Sequence, residues 1–533
     1  AGYALLQAAG ADPVRWADLD SKARQFATLG NPDFYGQFLS AAAIAGAAIA
    51  LFSDTPRLRA LAGGLAALST VLLVLTATRG AVIGLVAGAI ALGVLWLRRA
   101  GATRTALARL ALAGAAFVAA LGLAVLTTPL GDRLVALTEV ANIQDRVLIY
   151  SSATRIFLDH PVLGVGFENF AVAYPGYEEA EGIKNNRTQT SAHNWLLHVA
   201  ATTGLVGLAA TAAVLGAFAF HVWRRARDPD APALLAAAGA LVAFYASGLV
   251  LPGAQSIQWI PWACLGVALA SDLRTAPVAM RLPPVRVPLL AVIAGLVVLM
   301  VLALAQTTVV TANRLAKTAE TSLRAETAQR AVDAARGATD ADPGRAVYWN
   351  DLGRALELVD DQAGARRAYR EAVERSPYTP AFWWNLGRMH LFFARRGEEG
   401  AKAASYDAFR RGLEASPRNP DTYDQLARAQ LALGDLADAL ASEERAIALY
   451  PGDPRYYTTA ADAARLQGAS TRSLDLLRAG VAATGSNELR LTLARRLIDA
   501  RSENEARAVL NEVLRIEPGN AAAAELLRQL GGP

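Results

Sequence analysis

The chain has 533 residues, of which 53% are hydrophobic and 19% charged, and a formal net charge of +5. Its arginines fall in short loops between apolar runs rather than in one long stripe, which disfavours nucleic-acid binding. The single cysteine, Cys264, leaves no intrachain disulfide and no Cys-rich zinc site. Up to about residue 305 the sequence is a series of Ala/Leu/Val/Gly runs with few charges, whereas from Asn313 charges are dense. A transmembrane domain over 1–312 is therefore expected to precede a soluble one over 313–533. The chain starts at Ala without a basic-then-apolar signal, so the membrane domain is expected to lack its earliest helices.

Crossing a hydrocarbon core of ~30 Å takes roughly 17 to 25 helical residues. Eight segments meet or approach this, at about 34–52, 60–78, 80–97, 107–127, 195–223, 232–251, 257–273 and 287–305. The second and third are separated only by Thr78, Arg79 and Gly80 and read as a tight helical hairpin. Gly80, Gly84 and Gly88 recur every four residues, a smooth face for close helix packing. Every second loop is basic: Arg57 and Arg59, then Arg98, Arg99, Arg104 and Arg109, then Arg224, Arg225 and Arg227, then Arg274, Arg281 and Arg286. Those loops are expected on the cytoplasmic side. The Arg79 hairpin, the long loop 128–194, the turn 252–256 and everything after segment eight are then external. Trp195, Trp259 and Trp262 near the outer boundary, with Trp96 and Trp223 near the inner one, fit an aromatic belt.

Chemistry is sought where polar residues border the bilayer, because they are rarely there for stability alone. Arg79, with almost no loop around it, is either a snorkelling arginine or a guanidinium held for an anionic head group. Arg146 and Arg155 lie nine residues apart in an amphipathic helix, so they face opposite sides and only one is expected in the site. Asp159-His160-Pro161 ends that helix, a turn that accounts for His160, and Gly164 and Gly166 allow a tight turn beyond it. His193, followed by Asn194 at the outer start of segment five, could take a proton from a hydroxyl while arginines hold a phosphate leaving group. His198, one turn deeper, would support it. Tyr174 is grouped with Asn194, Arg155 and His198 as a candidate substrate contact. Glu178, Glu179 and Glu181 read as a solvated acidic face, and no metal or cofactor is expected.

In the second half, prolines recur in a fixed context at Pro377, Pro417, Pro451 and Pro518, with a basic spacing of 34 residues and an insertion near 396–403. Trp349, Leu352, Gly353, Ala365, Tyr369 and Ala372, then Trp383, Leu386, Gly387 and Phe409, fall where tetratricopeptide repeats carry their packing residues. The region 343–520 resembles an array of such repeats, a stacked-helix solenoid with a concave surface for a protein segment. Trp349 and Trp383 are expected in packing and Trp384 in an exposed contact.

Four stretches in order resemble the O-antigen ligase and polymerase superfamily of membrane glycosyltransferases: TLGNPDFYGQFL at 28–39, TRGAVIGLVAG at 78–88, the run from Arg146 to Gly166 ending in HPVLGVG, and AHNWLLHVAATTGLVGL at 192–208. The resemblance implies an all-α, polytopic inner-membrane enzyme. It implies an inverting, metal-independent transfer of a glycan from an undecaprenyl-diphosphate carrier to a glycan, lipid or protein acceptor outside. On it, Arg79 and Arg146 bind the diphosphate and His193 activates the acceptor hydroxyl. The repeats, carried by only some relatives, favour a protein acceptor or partner. The alternative is a membrane-anchored scaffold that recruits envelope proteins. Transport is disfavoured because the apolar segments lack pathway polar groups.

Overall fold

The computed structural model describes residues 2–12, 25–128, 140–184, 189–228, 231–253, 255–273 and 289–531. Every regular element among these residues is helical. The chain divides into two compact units, one of Ala1–Tyr174 with Thr188–Pro283, the other of Pro175–Arg187 with Pro284–Pro533.

The first unit contains α1 (Pro32–Phe52), α2 (Pro56–Thr76), α3 (Arg79–Ala100), α4 (Arg104–Thr127), α5 (Val140–Asp159), α6 (Trp195–Arg225), α7 (Pro232–Ser247) and α8 (Trp259–Leu273). Of these, α1 to α4 and α6 are long and apolar enough to cross a membrane, and the protein is a multi-pass membrane protein. Leu112, Val118, Leu123 and Leu126 of α4 all stand exposed, an apolar surface that suits lipid and not water. At the centre is α7, buried nearly all round from Leu234 to Phe244, as befits a helix with no polar face.

Small residues set the spacing. A Cβ on Gly84 would meet the Ala243 carbonyl oxygen at 2.5 Å, and one on Gly88 would meet Ile44 at 2.6 Å, so α3 packs on α7 and α1 through its glycine stripe. The α2–α3 junction is as short as expected, with Ala77 in the left-handed region as the turning residue. The two helices do not close on each other as a hairpin, because α1 is the main partner of α2 and also packs on α3. A Cβ on Gly46 would meet the Ala62 carbonyl oxygen of α2 at 2.8 Å, and one on Gly36 would meet Thr78 at 2.9 Å.

Two further differences from the expected spans have local causes. The α7 helix stops at Ser247 because residues 248–251 turn, with Leu251 seated over Gly80; its 16 residues reach only about 24 Å. The α6 helix is not one rod but is broken at Gly204 (φ +63°, ψ −158°).

The second unit begins with α9 (Leu289–Thr321), followed by α10 (Ala328–Ala341), α11 (Ala346–Leu358), α12 (Gln362–Arg375), α13 (Pro380–Ala394), α14 (Ala401–Ala415), α15 (Pro420–Ala432), α16 (Leu436–Leu449), α17 (Pro454–Leu466), α18 (Ser470–Thr484), α19 (Asn487–Asp499), α20 (Glu503–Ile516) and α21 (Ala521–Gln529). The division expected at 312/313 falls inside α9. Its first half exposes Ile293, Leu296, Val297 and Val301, while Ala312 and Leu315 pack with Ala338 and Tyr348. From α10 the helices stack in antiparallel pairs as an α-solenoid. The Gly353 and Gly387 positions admit the rings of Tyr369 and Phe409, which a Cβ would meet at 2.5 and 2.8 Å. Trp349 and Trp383 each donate the indole N–H to the carbonyl of the proline six residues earlier, Pro343 at 2.9 Å and Pro377 at 2.6 Å. Trp384 is not an exposed contact: it donates to Thr422 Oγ1 at 2.8 Å and packs on Phe409 of its own repeat and Leu426 of the next.

Candidate functional site

Three backbone carbonyls in the turn after α7, with that of Tyr245 near the end of α7, gather the polar end of the first unit. Trp195 N–H donates to the Gly248 carbonyl at 2.9 Å and its indole N–H to the Tyr245 carbonyl at 2.9 Å, which fixes the start of α6. Tyr150 of α5 reaches the Leu249 carbonyl at 3.5 Å, and Arg146, one helical turn earlier, donates to the Val250 carbonyl at 2.6 Å. Leu251 covers Gly80, the residue after Arg79 at the start of α3. Three stretches far apart in sequence are thereby brought to one turn.

Arg146 also reaches the His193 carbonyl, at a long 3.5 Å, as does the Tyr150 hydroxyl. Among the described residues its partners are main-chain oxygens, and none is a carboxylate. His193 has φ +52°, unusual for a side-chain-bearing residue and the kind of strain that collects at functional sites. Its ring Nε2 lies 3.1 Å from Gln189 Oε1. Asn194 caps α6, accepting from the Leu196 and Leu197 N–H groups at 2.9 and 3.1 Å. Arg155 is half-buried on α5, with Nη2 3.3 Å from Ser151 Oγ on its own helix. His198 is tilted on the buried Phe170 ring at 5.4 Å, and Phe170 stacks on Tyr174 at 5.5 Å. Tyr174 is only 2% exposed and serves this aromatic packing, while His198 Nδ1 is buried with no hydrogen-bond partner. The structure thus brings Arg146 to His193 and the start of α3 to the same turn; it places His198 and Tyr174 in an aromatic stack.

The break in α6 is closed by the HPVLGVG turn. Leu205 and Val206 N–H, which would begin a new helix unsatisfied, donate to the Pro161 and Val162 carbonyls at 2.8 and 3.2 Å. Val165 and Gly166 N–H in turn donate to the Ala201 and Thr202 carbonyls at 3.0 and 2.9 Å. All four freed groups are satisfied, as non-helical backbone at a membrane requires. Only glycine fits at the contact: a Cβ on Gly164 would meet the Thr202 carbonyl carbon at 2.3 Å, and one on Gly204 the Val162 carbonyl carbon at 2.4 Å. The site's His and Asn therefore stand at the head of a short stub, Trp195 to Thr203, and Leu205 to Arg225 remains as a half-helix of roughly 31 Å.

The opposite end of α3, ~33 Å away for its 22 residues, is basic. Arg98 lies over Trp223 at 4.6 Å, Arg99 donates to the Asp228 carbonyl at 3.2 Å, and Arg227 donates to the Arg98 carbonyl at 3.2 Å. The polar turn and the arginine cluster thus occupy opposite ends of one helix.

Residues 64–212 match the O-antigen ligase family model. The matched stretch contains Arg79, Arg146, Arg155, Tyr174, His193, Asn194 and His198, while the turn that gathers several of them lies beyond it. No curated protein matches the chain. Solved structures similar to it include Pseudomonas aeruginosa PilF (16% identical, covering 42% of this chain and 99% of that one, TM-score 0.32). PilW, a type IV pilus biogenesis factor, is 17% identical over 40% of this chain and 98% of its own, TM-score 0.32. YrrB, a TPR protein, is 17% identical over 37% of this chain and 99% of its own, TM-score 0.27.

Sequence reasoning missed Tyr150, Gln189 and the Val250 carbonyl. Tyr150 lies four residues from Arg146 and so on the same helix face, a signal that helical spacing offers. A main-chain acceptor leaves no trace in residue identity.

Proposed function

We propose that the O-antigen ligase domain transfers a glycan from an undecaprenyl-diphosphate carrier to an acceptor hydroxyl at the outer face of the cytoplasmic membrane. The observation that carries this reading is Arg146, a guanidinium whose partners among the described residues are carbonyls, set beside the backbone of His193. A cation without a carboxylate partner keeps its attraction for an anion, and the arginine fork suits a diphosphate.

In this reading the acceptor hydroxyl attacks the anomeric carbon from the face opposite the carrier. The new C–O bond forms as the bond to the diphosphate oxygen breaks, and the electron pair leaves with the diphosphate, inverting the centre. Arg146 and Arg79 stabilise the charge developing on that leaving group. The hydroxyl proton passes to His193: with Gln189 Oε1 accepting from Nε2–H, the lone pair lies on Nδ1. The arginine cluster at the other end of α3 supports the sidedness, with basic ends inside and the polar turn outside. Asn194 serves by holding the stub, Tyr174 and His198 by the aromatic packing beneath it, and Arg155, on the other face of α5 from Arg146, stays outside the reacting centre. The acceptor is a glycan, a lipid or a protein brought by the solenoid.

In proteoliposomes supplied with a polyprenyl-diphosphate glycan, Arg146→Ala and His193→Ala should abolish transfer while the chain still folds. Full transfer by both variants would sink the assignment. A scaffold reading is favoured by Arg146 serving as a main-chain staple, and it predicts that both variants instead lose thermal stability with no transfer activity to lose.

A further inference from the structure

The second unit includes a stretch remote from the solenoid in sequence, Pro175–Arg187. Its anchor is Lys184, one of four lysines in a chain with 52 lysines and arginines. All three ammonium protons are used. Lys184 Nζ donates to Asp421 Oδ1 at 2.8 Å, Asp453 Oδ2 at 2.7 Å and the Tyr456 hydroxyl at 2.9 Å. It also lies over the rings of Tyr450 and Tyr456, at 5.6 and 5.1 Å from their centres.

The receptor is built by the repeat. Asp421 and Asp453 stand at the starts of α15 and α17, where the 34-residue period lines up successive helix ends, and Asp453 caps α17 by accepting from Arg455 N–H at 3.0 Å. Tyr456 is wholly buried and donates to Asp421 Oδ1 at 2.8 Å, which fixes its oxygen as the acceptor for the lysine. Arg455 bridges Asp421 and Asp453 at 2.9 and 2.7 Å from the other side. Two cations thus meet two carboxylates, so a lysine enters a site of net charge −1 held in place by Arg455 and balances it.

A second contact sets a spacing. Glu179, five residues before Lys184, pairs with Arg418 at 2.8 Å. The surface also extends past its occupant: a cavity of about 540 Å³ opens beside the lysine site, lined among others by Arg428, Leu431, Arg455, Asp462 and Glu488. Arg455 belongs to both. The surface is built for more peptide than Pro175–Arg187 supplies at the lysine site.

We propose that this face of the solenoid is a peptide receptor whose anchor is a lysine side chain, preceded by an acidic residue at a spacing like that of Glu179 and Lys184, and that the stretch from Pro175 to Lys184 is its resident occupant, displaced by a partner segment of the same chemistry. It does not rest on the transfer reaction, and its test reads binding alone.

The test uses the full chain in detergent micelles and a fluorescein-labelled peptide with the sequence of residues 176–187. A chain in which 176–187 is replaced by an equal length of Gly and Ser should bind the peptide saturably, and the intact chain about tenfold or more weakly. A peptide with norleucine in place of the lysine should lose about tenfold or more, as should Asp453→Asn in the vacated chain, since three charged hydrogen bonds are at stake. If the vacated chain melts early, Lys184→Ala in the otherwise intact chain takes its place and should gain binding over wild type. Equal binding of the lysine and norleucine peptides overturns the proposal, as does equal binding to intact and vacated chains, or no binding to a vacated chain that melts like wild type.

Discussion

Arg146 and Lys184 are both half-buried or deeper cations, yet they are held in opposite ways. Arg146 donates to the carbonyls of Val250 and His193, whereas Lys184 sits between two carboxylates and a phenol. A carbonyl fixes a cation's position and leaves its charge to act on something else. A carboxylate fixes the position and cancels the charge. The first arrangement prepares a side chain for an anionic ligand, and the second turns it into a fastener. Their charge does not distinguish them; the partner does.

The sharpest way to break this contrast is to remove the uncancelled cation. Arg146→Ala should lower glycan transfer in proteoliposomes by about 10²- to 10³-fold, the usual cost of losing a preorganised donor. Arg146→Lys, which keeps the charge but loses the fork, should fall between the two, and wild-type rates from Arg146→Ala would erase the distinction. Removing the closure beneath the site comes next. Gly204→Ala forces a side chain into φ +63° and against the Val162 carbonyl. It should cost about 2 kcal/mol or more in thermal unfolding, and Gly164→Ala in the same chain should add less than its own full effect, since both spoil one contact.

Lys184→Met, which removes the fastener and not the scaffold around it, should raise protease cleavage within 175–187 by about tenfold, with the melting of the solenoid little changed. Burial raises the Asp453 carboxyl, but hydrogen bonds from Arg455 and Lys184 outweigh it and hold the group well below the usual carboxylate range. A depressed carboxylate stabilises above its unfolded value and loses that contribution as pH falls through its folded one. The segment's protection should therefore persist at neutral pH and fail only in strong acid.

A third kind of holding lies in α16. Glu443 is wholly buried beside Asp424, and burial first, then the Asp424 charge, push its carboxyl up so that it stays protonated. A raised carboxyl gives stability that is full below its unfolded value of ~4.3 and lost as pH climbs toward the folded one. Glu443→Gln should accordingly raise the melting temperature by ~2–4 °C at pH 8 and by almost nothing at pH 4. The smallest effect belongs to Arg418→Ala: its pair with Glu179 is solvent-exposed and worth at most ~0.5 kcal/mol. A larger loss would mean that the rim, and not the lysine, holds the segment.

Much of this was legible in the residues. The glycine stripe of α3, the prolines and Trp/Gly pairs of the solenoid, and the alternation of basic loops are all local periodicities that sequence carries openly. The broken α6 was not, because Gly204 inside an apolar run looks like any tolerated glycine until the carbonyls of Pro161 and Val162 are found beside it. The early end of α7 was hidden for the same reason, since Leu251 turns back to cover a glycine more than 170 positions away. Trp384 reads as exposed from its repeat alone because its partner, Thr422, belongs to the next one. Lys184 carries no local signal of its role, because its acidic partners Asp421 and Asp453 lie more than 230 positions away. Each miss is a contact between distant stretches, where identity at one position is explained only by the shape at another.

The unbroken run of α9 carries a consequence for how the protein can be built. A helix is a rod with a fixed screw: each residue added advances it by ~1.5 Å and turns it by ~100°. Since α9 carries the exposed residues Ile293, Leu296, Val297 and Val301 at one end and packs on α10 at the other, its residue count gears the angle of the solenoid to that exposed apolar end. One inserted alanine near Thr308 would swing the lysine-binding face about a quarter-turn around the rod, while seven would return it to nearly the same bearing, only farther out.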